Sequence, residues 1–549
     1  MREIDRLTVE NYHTTSLLLM ESASAACLEA IRTRFNGELD GKRALVLCGK
    51  GNNGGDGAAL ARGLCRASVQ CDVVLFGKFA DTTGDAHTNF ESVSHLASFE
   101  AGSPEAPAPL TFIECANLTA WERIAKPRRT YDVIVDALFG TGLTRPLEGV
   151  FLKVIEHLTM LKQARDRAGG ARPLVLSIDI PSGLNADKTE PIGPAVRADV
   201  TVTFTAPKPA NVLPPASDFG GELIVADIGS PASLIAAAKP WLFLTEAEDV
   251  QRWLISTRYT PDSYKNTHGH VLLAAGSRGY SGAAALSGNA AMRSGAGLVT
   301  IATPSSAQPL VATRAMPEVM TTALAETDRG AASDEAVDHF LGLAAKATVV
   351  AVGPGLTSDD ERTRRFVRGV VERRSRPCVI DADGLNCLAP WPDELTGSEA
   401  QPLILTPHAG EMLRLLGTNE KTTLTDRSAV ARDFAVAHKV ILVLKGSRPI
   451  VAAPDGRVFI NPTGNAGLGT AGSGDTLTGL ISGFLAQAYG TLQKDADPLA
   501  ATIAALYVGG LAGDLAARKL GMRTMVASDI REHFSEAIQL LDPEGEQPK

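Results

Sequence analysis

The stretch GLGTAGSGDTLTG, residues 467–479, holds five glycines and one carboxylate, Asp475, just ahead of the apolar stretch ISGFLAQAY. Glycines let the backbone turn sharply, and the free N–H groups at the start of a following helix attract an anion. A carboxylate beside an anion site is unsuited to holding the anion. Its natural role is that of a base, which takes a proton from a hydroxyl that attacks a phosphoryl group. The alternative is an N-cap aspartate on a glycine turn.

A second glycine-rich stretch, GKGNNGGDG at residues 49–57, lies far upstream and contains Asp56. It follows the apolar run RALVLCG and precedes the helical pattern AALARGLCRASV. Its spacing is not that of the usual dinucleotide motif, and it lacks the P-loop lysine. Amide and carboxylate oxygens suit a hard cation or ribose hydroxyls. A glycine turn capped by Asn and Asp uses the same residues, so both interpretations stay open.

The composition predicts a soluble protein of two or three domains, since 549 residues are too many for one ordinary core. Hydrophobic residues make up 44% and charged residues 21% of the chain. The formal net charge of −9 argues against a broad nucleic-acid-binding surface. Seven scattered cysteines without a C-x-x-C pair favour a reducing compartment over a disulfide framework or a zinc site.

The N-terminal residues hold only the short apolar run LLLM, which does not form a secretory signal. The longest apolar run, PLAATIAALYVGGLAG at residues 498–513, is short of the roughly 20 residues that a membrane span needs. We expect it to form a buried helix rich in alanine and glycine. A cytoplasmic enzyme without membrane or nucleic-acid partners is the resulting expectation.

Short apolar runs alternate with helical patterns along the whole chain. They lie at residues 43–49, 71–77, 131–140, 173–183, 198–204, 270–277, 347–355, 377–384, 402–411 and 440–447. This alternation predicts an α/β fold with parallel sheets covered on both faces. The pattern breaks near residues 230–250, which predicts two domains, residues 1–238 and 239–549. Residues 100–109 and 162–173 are predicted to be surface loops.

Polar residues stand where several predicted strands end. Asp136 opens the loop DALFGTGLTRPLEG, which carries Arg145, and Asp179 and Ser182 lie in SIDIPSGLNAD. Taken alone, Asp179 is more often a turn-capping residue than a catalytic one. Ligands of parallel sheets bind beyond the carboxyl ends of the strands, however, so three such loops predict one shared site.

The motifs GNNGGDG, VDALFGTGL and IDIPSG, in this order, resemble the NAD(P)HX epimerase family, also called the YjeF N-terminal family, over roughly residues 1–235. The resemblance implies a Rossmann-like fold and a site for the hydrated nicotinamide dinucleotide. It implies dinucleotide contacts from Asn52, Asn53, Gly54, Gly55, Asp56, Gly140, Thr141, Gly142, Leu143, Thr144, Arg145 and Pro146. It also implies a potassium site formed by Asn53, Asp136 and Ser182, and a substrate contact from Asp179, which we expect to be the acid/base.

That chemistry is compatible with a carboxylate. Epimerising a hydroxyl-bearing carbon next to a ring nitrogen requires a group that moves a proton while the ring passes through a charged, iminium-like state. A carboxylate can both carry the proton and stabilise the charge. A monovalent cation would organise the surrounding loops.

The second half resembles the ribokinase-like group, and within it the ADP/ATP-dependent NAD(P)HX dehydratase family, over roughly residues 245–540. The motifs that carry the resemblance are VGPGL, IDADGLN, TPHAGEM, LKGSRPIV and NAGLGTAGSGDTLTG, together with residues 268–299. It implies that Asp475 is the catalytic, substrate-contacting acid and that Ala283, Gly355 and His408 line the hydrated-nicotinamide pocket. It implies adenine-nucleotide contacts from Lys445, Gly446, Ser447, Arg448, Pro449, Asn465, Ala466, Gly467, Leu468, Gly469, Thr470, Ala471, Gly472, Ser473 and Gly474.

The implied second reaction is phosphorylation of the substrate hydroxyl by ADP, or secondly ATP, with magnesium, followed by elimination of phosphate. Asp381 and Asp383 support the site or the magnesium, or are turn residues. Two alternatives remain: a small-alcohol kinase in the second half, and an NAD(P)-sensing or scaffold module in the first. A homo-oligomer is expected from the resemblance alone.

Overall fold

The computed structural model describes residues 1–100, 110–125, 130–168 and 172–544. The chain divides into two compact units, Met1–Pro240 and Trp241–Lys549. Each unit is built on its own sheet of mainly parallel strands with flanking helices, so the predicted two-domain α/β class is confirmed.

The described part of the first unit forms a sheet of seven strands. The strands are β1 (Arg43–Cys48), β2 (Gln70–Leu75), β3 (Leu110–Glu114), β4 (Val133–Ala137), β5 (Leu174–Ile178), β6 (Val200–Phe204) and β7 (Glu222–Ala226). The helices are α1 (Arg2–Tyr12), α2 (Ser16–Arg34), α3 (Asn52–Arg66), α4 (Gly84–Glu100), α5 (Leu118–Ile124), α6 (Gly149–Ala168), α7 (Pro209–Val212) and α8 (Ala232–Ala237).

The strand order of the first sheet is β3-β2-β1-β4-β5-β6-β7, and every neighbouring pair is parallel. The order reverses direction between β1 and β4, where a doubly wound sheet opens a crevice for a ligand. The loops after these two strands are in contact: Gly49 lies so close to the carbonyl oxygen of Leu138 that a Cβ on Gly49 would overlap it. The first glycine-rich motif therefore lies at the switch point of the sheet.

Successive residues of β1 point to opposite faces of the sheet, and both faces are apolar. Val46 packs in a cluster with α2, α3 and α4, whereas Leu47 packs in a cluster with α5 and α6. Both side chains are fully buried. This double coverage explains why the strand has a continuous apolar sequence instead of an alternating one.

The described part of the second unit forms a larger sheet. Its strands are β8 (Leu242–Leu244), β9 (His270–Ala274), β10 (Leu298–Pro304), β11 (Met320–Leu324), β12 (Val349–Val352), β13 (Cys378–Ile380), β14 (Leu403–Leu405), β15 (Ile441–Leu444), β16 (Ile450–Ala452) and β17 (Val458–Ile460). Its helices are α9 (Ala247–Ser256), α10 (Ser281–Arg293), α11 (Gln308–Arg314), α12 (Val337–Ala344), α13 (Glu361–Glu372), α14 (Asp383–Leu388), α15 (Ala409–Leu415), α16 (Arg427–His438), α17 (Ser473–Gln487), α18 (Pro498–Leu520), α19 (Ala527–Glu532) and α20 (Phe534–Leu541).

The strand order of the second sheet is β11-β10-β9-β12-β13-β14-β15-β16-β17-β8. The first seven strands in this order, from β11 through β9 to β15, are parallel. Strands β15, β16 and β17 form an antiparallel meander at one side of the sheet. The order reverses between β9 and β12, so the carboxyl ends of the parallel strands again offer one edge for a ligand.

Helix α18 contains the apolar run of residues 498–513 and is longer than that run. Its length and composition would allow a membrane span, but 72% of its most apolar window is buried inside the unit. The helix packs against α9, α17 and α20 in the core that contains the stacked rings of Trp253 and Phe484. It is therefore a core helix, as predicted.

The structure departs from the predicted elements in two respects. Helix α6 continues to Ala168, so the predicted loop at residues 162–173 is wrong over its first part, and residues 169–171 lie outside the described chain. Residues 101–109 of the other predicted loop also lie outside it. The sequence did not predict β3, β7, β8, β10, β11, β16 and β17 as strands.

Close contact between two backbones makes Gly54 sensitive to substitution. A Cβ there would overlap the carbonyl oxygen of Gly49. We expect Gly54→Ala to destabilise the first unit by about 1–3 kcal/mol, because overpacking against backbone forces the chain to shift. Gly51→Ala is the matched control, since a Cβ at Gly51 has no atom within 4 Å. Equal thermal unfolding of the two variants would contradict the expectation.

Candidate functional site

A cavity of about 920 Å³ lies in the first unit at the carboxyl edge of the sheet. The glycine-rich loop before α3, the loop after β4 and Asp179 after β5 all reach it. Parallel strands bring their carboxyl ends to one edge, which explains how distant sequence motifs meet there. The predicted residues on its wall are Asn52, Asn53, Asp56, Gly140, Thr141, Gly142, Leu143, Arg145, Pro146 and Asp179.

Three of the predicted ligand-contacting residues are not part of the cavity wall as the structure describes it: Gly54, Gly55 and Thr144. Gly54 and Gly55 are buried. A Cβ on Gly55 would lie 2.9 Å from the sulfur of Met20. These two glycines let α3 pack closely against its neighbours, which brings the start of the helix to the cavity.

Asp179 forms a buried ion pair with Lys208. The Lys208 ammonium donates to Asp179 Oδ1 at 2.6 Å, and the two side chains are only 6% and 13% exposed. The hydroxyl of Thr203 donates to the same oxygen at 3.0 Å. A lysine this deeply buried is stable only with a partner, so the pair fixes the carboxylate. No sequence motif identified Lys208, which lies four residues after Phe204, the last residue of β6.

The backbone of Asp179 is also held in an unusual conformation. Its φ of 67° lies in the left-handed region, which aspartate tolerates better than most residues do. Its N–H donates to Val202 at 2.7 Å, and its carbonyl accepts from the Asn211 side chain at 3.1 Å. These bonds offset the conformational cost and aim the carboxylate at the cavity.

The predicted cation ligands Asp136 and Ser182 lie together below the cavity. Asp136 is fully buried and accepts from the Ser177 hydroxyl and the Ser182 backbone N–H, each at 2.8 Å. Burial raises the pKa of Asp136 against these hydrogen bonds. The third predicted ligand, Asn53, has a buried Nδ2 that lacks a hydrogen-bond partner. A Cβ on Gly140 would lie 3.1 Å from Asn53 Oδ1 and 3.4 Å from Asp179 Oδ2, so both side chains flank this glycine.

Helix α1 adds residues to the cavity that the sequence analysis did not identify. Arg2 and Asp5 lie on its wall, and a Cβ on Gly142 would lie 2.8 Å from the Arg2 guanidinium. Burial raises the pKa of Asp5, and the nearby Asp179 acts in the same direction, whereas Lys208 acts against it. No motif pointed to these residues, since only the folded chain brings α1 to the sheet edge.

In the second unit, Asp475 lies in the first turn of α17, which begins directly after Gly472, whose φ of 86° requires a glycine. Burial, together with the charges of Asp381 and Asp383, raises the pKa of Asp475 to about 6, and Lys445 acts against this rise. A carboxyl with this pKa changes its protonation near neutral pH, as a general base requires.

Lys445 links three acidic residues at the carboxyl edge of this sheet. Its ammonium donates to Asp381 Oδ1 at 2.7 Å and lies 3.8 Å from Glu411 Oε2. A Cβ on Gly474 would lie 3.4 Å from this ammonium, so the lysine faces the N-terminal turn of α17, which carries Asp475. A cation and a helix N-terminus at one place form a site suited to an anion.

Asp381 is the partner that fixes Lys445. Its second oxygen accepts from the Thr478 hydroxyl at 2.7 Å, and its side chain is fully buried. Burial alone would raise the pKa of Asp381, but the Lys445 charge and the hydrogen bonds lower it. Both carboxylate oxygens are thus engaged by protein groups. Asp383 instead accepts from the Thr357 backbone N–H at 3.0 Å.

The three predicted pocket residues of the second unit lie around the same edge. Ala283 lies in the first turn of α10, which packs on α17, and a Cβ on Gly355 would lie 2.9 Å from the Ala283 side chain. His408 caps α15 by accepting from Gly410 N at 2.9 Å, and Glu411 accepts from the His408 backbone N–H at 2.8 Å. His408 is therefore a helix cap whose ring remains half exposed to a ligand.

Hydrogen bonds to backbone carbonyls order the first of the two predicted nucleotide loops, residues 445–449. Arg427 donates to the carbonyls of Ser447, Leu444 and Lys445, which orders the segment that continues through Gly446. Arg448 donates to the carbonyl of Pro462, and the carbonyl of Pro449 accepts from Asn461 at 2.9 Å. These bonds connect the first loop to the segment that leads into the second.

Asn465 anchors the second loop, residues 465–474. Its Nδ2 donates to Asp514 Oδ1 at 2.8 Å, and its Oδ1 accepts from Gly467 N at 2.9 Å. The predicted loop residues that follow it are Ala466, Leu468, Gly469, Thr470, Ala471 and Ser473. The loop ends where α17 begins.

Two α/β units, each with a carboxyl and a lysine at the carboxyl ends of its parallel strands, define a two-domain enzyme of the nucleotide-binding class. Residues 16–210 match the family described as YjeF-related protein N-terminus, and residues 271–536 match the family described as NAD(P)H-hydrate dehydratase.

The chain is also similar to full-length relatives. It is 38% identical over 546 residues to the bifunctional NAD(P)H-hydrate repair enzyme Nnr of Moorella thermoacetica, covering 100% of this chain and 97% of that protein. It is 32% identical over 527 residues to the enzyme of the same name from Escherichia coli K12, covering 96% of this chain and 90% of that protein. The chain belongs to the family of bifunctional NAD(P)H-hydrate repair enzymes.

A solved structure matches part of the chain. The ADP/ATP-dependent NAD(P)H-hydrate dehydratase from Bacillus subtilis, co-crystallized with ATP/Mg²⁺, is 30% identical and covers 55% of this chain and 99% of that one, with a TM-score of 0.45.

The buried pair Lys208–Asp179 gives a stability prediction. Lys208→Met leaves a buried carboxylate without its cation, and we expect the first unit to lose about 3–5 kcal/mol. Adding Asp179→Asn should restore part of this loss, which a double-mutant cycle in denaturant measures. Lys153→Met, in an exposed pair with Glu156, is the control and should cost at most about 1 kcal/mol. Equal losses at the two lysines would contradict the expectation.

The charge of Asp381 gives a titration prediction. Because this charge raises the pKa of Asp475, Asp381→Asn should move the titration of Asp475 to a pH below about 6. Carbon NMR of the labelled aspartates, compared with Asp475→Asn to assign the signal, measures the shift. Asp393→Asn, at an exposed position whose charge does not act on Asp475, should leave the titration in place. A titration that Asp381→Asn leaves unchanged or moves upward would refute the electrostatic account.

Proposed function

We propose that this protein repairs hydrated NAD(P)H. The first unit interconverts the R and S epimers, and the second unit dehydrates the S epimer with ADP, giving NAD(P)H, AMP and phosphate. The observation that carries the proposal is the cavity of about 920 Å³ in which all three motifs of the first unit meet around Asp179. In the second unit, the carboxyl of Asp475 takes the place that Asp179 has in the first unit, as the proposed proton-transferring group.

In the first reaction, Asp179 moves a proton at the hydroxyl of the substrate while the ring nitrogen donates its lone pair to the adjacent carbon. The hydroxyl leaves with this proton as water, and the carboxylate stabilises the charged ring that forms. Water then adds to the carbon from the other face and returns a proton to the carboxylate, which gives the second epimer. The loops at residues 52–56 and 140–146 hold the dinucleotide, and their backbone N–H groups suit its phosphates.

In the second reaction, Asp475 takes the proton from the substrate hydroxyl, whose oxygen attacks the terminal phosphate of ADP. AMP leaves, and Lys445 and the N-terminal turn of α17 stabilise the charge on the transferred group. Loss of phosphate and a ring proton then restores the dihydronicotinamide. The loops at residues 445–449 and 465–474 hold the nucleotide, and Ala283, Gly355 and His408 line the nicotinamide pocket.

A potassium ion in the first unit is part of this proposal. The buried carboxyl of Asp136 receives hydrogen bonds only from neutral donors among the described residues: Ser177, Ser182 and Leu138. A monovalent cation would supply the missing positive charge, and the oxygens of Asn53, Asp136 and Ser182 are of the type that such an ion prefers. Magnesium accompanies the nucleotide in the second unit, with Asp383 near its site.

We place the activity in the cytoplasm, in a homo-oligomer without nucleic-acid or membrane partners. The net charge of −9 and the buried position of α18 support the absence of those partners. ADP is the preferred phosphate donor, and ATP is the second choice.

The defining experiment follows the absorbance of reduced nicotinamide from mixed R and S NADHX with magnesium, comparing ADP, ATP and no nucleotide. We expect complete recovery only with nucleotide. Asp475→Asn should abolish recovery, because no base remains for the substrate hydroxyl. Asp179→Asn should slow only the later phase, in which the R epimer must first be converted. Replacing potassium with tetramethylammonium should slow that same phase.

The alternatives give different results in this experiment. Phosphorylation of an added small alcohol by ATP, without recovery of NADH, would show that the second unit is a kinase. A later phase no faster than spontaneous epimerisation in the wild type would show that the first unit is a sensing or scaffold module.

A further inference from the structure

We propose that Asp56 is the general acid of the cavity in the first unit and that Asp179 is the base, so that epimerisation uses two carboxyls with separate tasks. This inference rests on the proposed epimerase function and assigns a chemical role to a residue that would otherwise only hold the dinucleotide.

The position of Asp56 suits a group that exchanges a proton with a ligand. It lies on α3, one turn after the helix begins, and its side chain forms part of the cavity wall together with Asp179. Within the described chain, no protein group donates a hydrogen bond to it, and its oxygens are not among the buried unpartnered atoms. The carboxyl of Asp56 is thus free to bond to whatever occupies the cavity.

The charges around Asp56 come from several elements. Asp5 on α1 and Asp179 after β5 face it with negative charge, and the thiols of Cys27 on α2 and Cys48 on β1 lie close by. Lys208, a buried cation on the cavity wall, is bonded to Asp179. The remaining charged groups of the cavity wall are Arg2, Lys50, Asp85, Arg145 and Glu148.

The surroundings of Asp56 and Asp179 differ. Burial raises the pKa of Asp56 well above its usual value, and the charges of Asp179 and Asp5 raise it further. Asp179 instead accepts hydrogen bonds from Lys208 and Thr203, whereas no described residue donates a hydrogen bond to Asp56. Two carboxyls in such different surroundings, one bonded to a lysine and one without a hydrogen-bond donor in the described chain, can take separate acid and base roles.

The epimerisation step balances with these two groups. Asp56 gives its proton to the substrate hydroxyl as the carbon–oxygen bond breaks, so water leaves and the ring nitrogen forms a double bond to the carbon. A water molecule then adds to that carbon from the other face and gives its proton to Asp179. The net change is one proton moved from Asp56 to Asp179, which exchange with solvent reverses. No oxidant or co-reactant is needed.

The test uses the full chain, pure R-NADHX, ADP and magnesium, so that epimerisation limits the recovery of NADH. Asp56→Asn should lower kcat for the R epimer by about 10²–10⁴-fold, the usual contribution of a general acid, with little change in KM. The wild-type rate should fall at alkaline pH as Asp56 loses its proton, and this alkaline fall should be missing from the residual rate of Asp56→Asn. Asp56→Glu should restore part of the rate.

Controls separate this inference from the proposed function and from misfolding. Turnover of the S epimer should be the same in all variants, and Asp40→Asn, at an exposed turn, should match the wild type. Because the folded state raises the pKa of Asp56, the unfolded chain gains its ionisation at neutral pH and is favoured by it. Asp56→Asn removes this difference, so the variant should unfold at the same or a higher temperature.

Two outcomes would overturn the inference. If the wild type epimerises faster than the spontaneous reaction but shows no alkaline fall, or if Asp56→Asn keeps the wild-type rate and pH profile, Asp56 is not the acid and the proposed function stands. If the wild type does not accelerate conversion of the R epimer at all, the proposed function of the first unit fails, and this inference fails with it.

Discussion

A lysine paired with one buried or largely buried aspartate organises the site of each unit. Lys208 bonds to Asp179 at 2.6 Å in the first, and Lys445 bonds to Asp381 at 2.7 Å in the second. Taking a single charge out of water costs several kcal/mol, so neither partner would be stable there alone. The pair allows a carboxylate to stand at the buried carboxyl end of a strand, where the parallel sheet and its glycine-rich loops leave room for a ligand.

Each lysine also leaves a second carboxyl without a bonded cation. In the first unit this carboxyl is Asp56, and in the second it is Asp475, and burial raises the pKa of both. The two units thus share a physical arrangement on different folds: an aspartate paired with a lysine, beside a second carboxyl whose pKa is raised by burial. Such a difference between neighbouring carboxyls makes proton transfer possible near neutral pH.

The sequence predicted the α/β class, because strands covered on both faces have continuous apolar sequences that are recognisable without a structure. It did not predict short edge strands such as β7, whose half-exposed residues lack that signature. It also predicted a loop from residue 162, where the polar stretch in fact continues α6 to Ala168. It also predicted that Asp179, Asp136 and the first glycine-rich loop lie at one edge of the sheet, since each follows a predicted strand. It missed Lys208 and Asp5, because neither belongs to a motif and their partners are far away in the chain.

The sequence by itself determined the parallel-sheet architecture, the glycine-rich turns and the carboxyls at strand ends, since these depend on local periodicity and on the order of motifs. Only the tertiary structure decided which charges neutralise one another. The partners Lys208 and Asp179 are 29 residues apart, and Lys445 and Asp381 are 64 apart, and their contact depends on the order of the strands in the sheet. Protonation follows from burial and from these contacts, which no local pattern encodes.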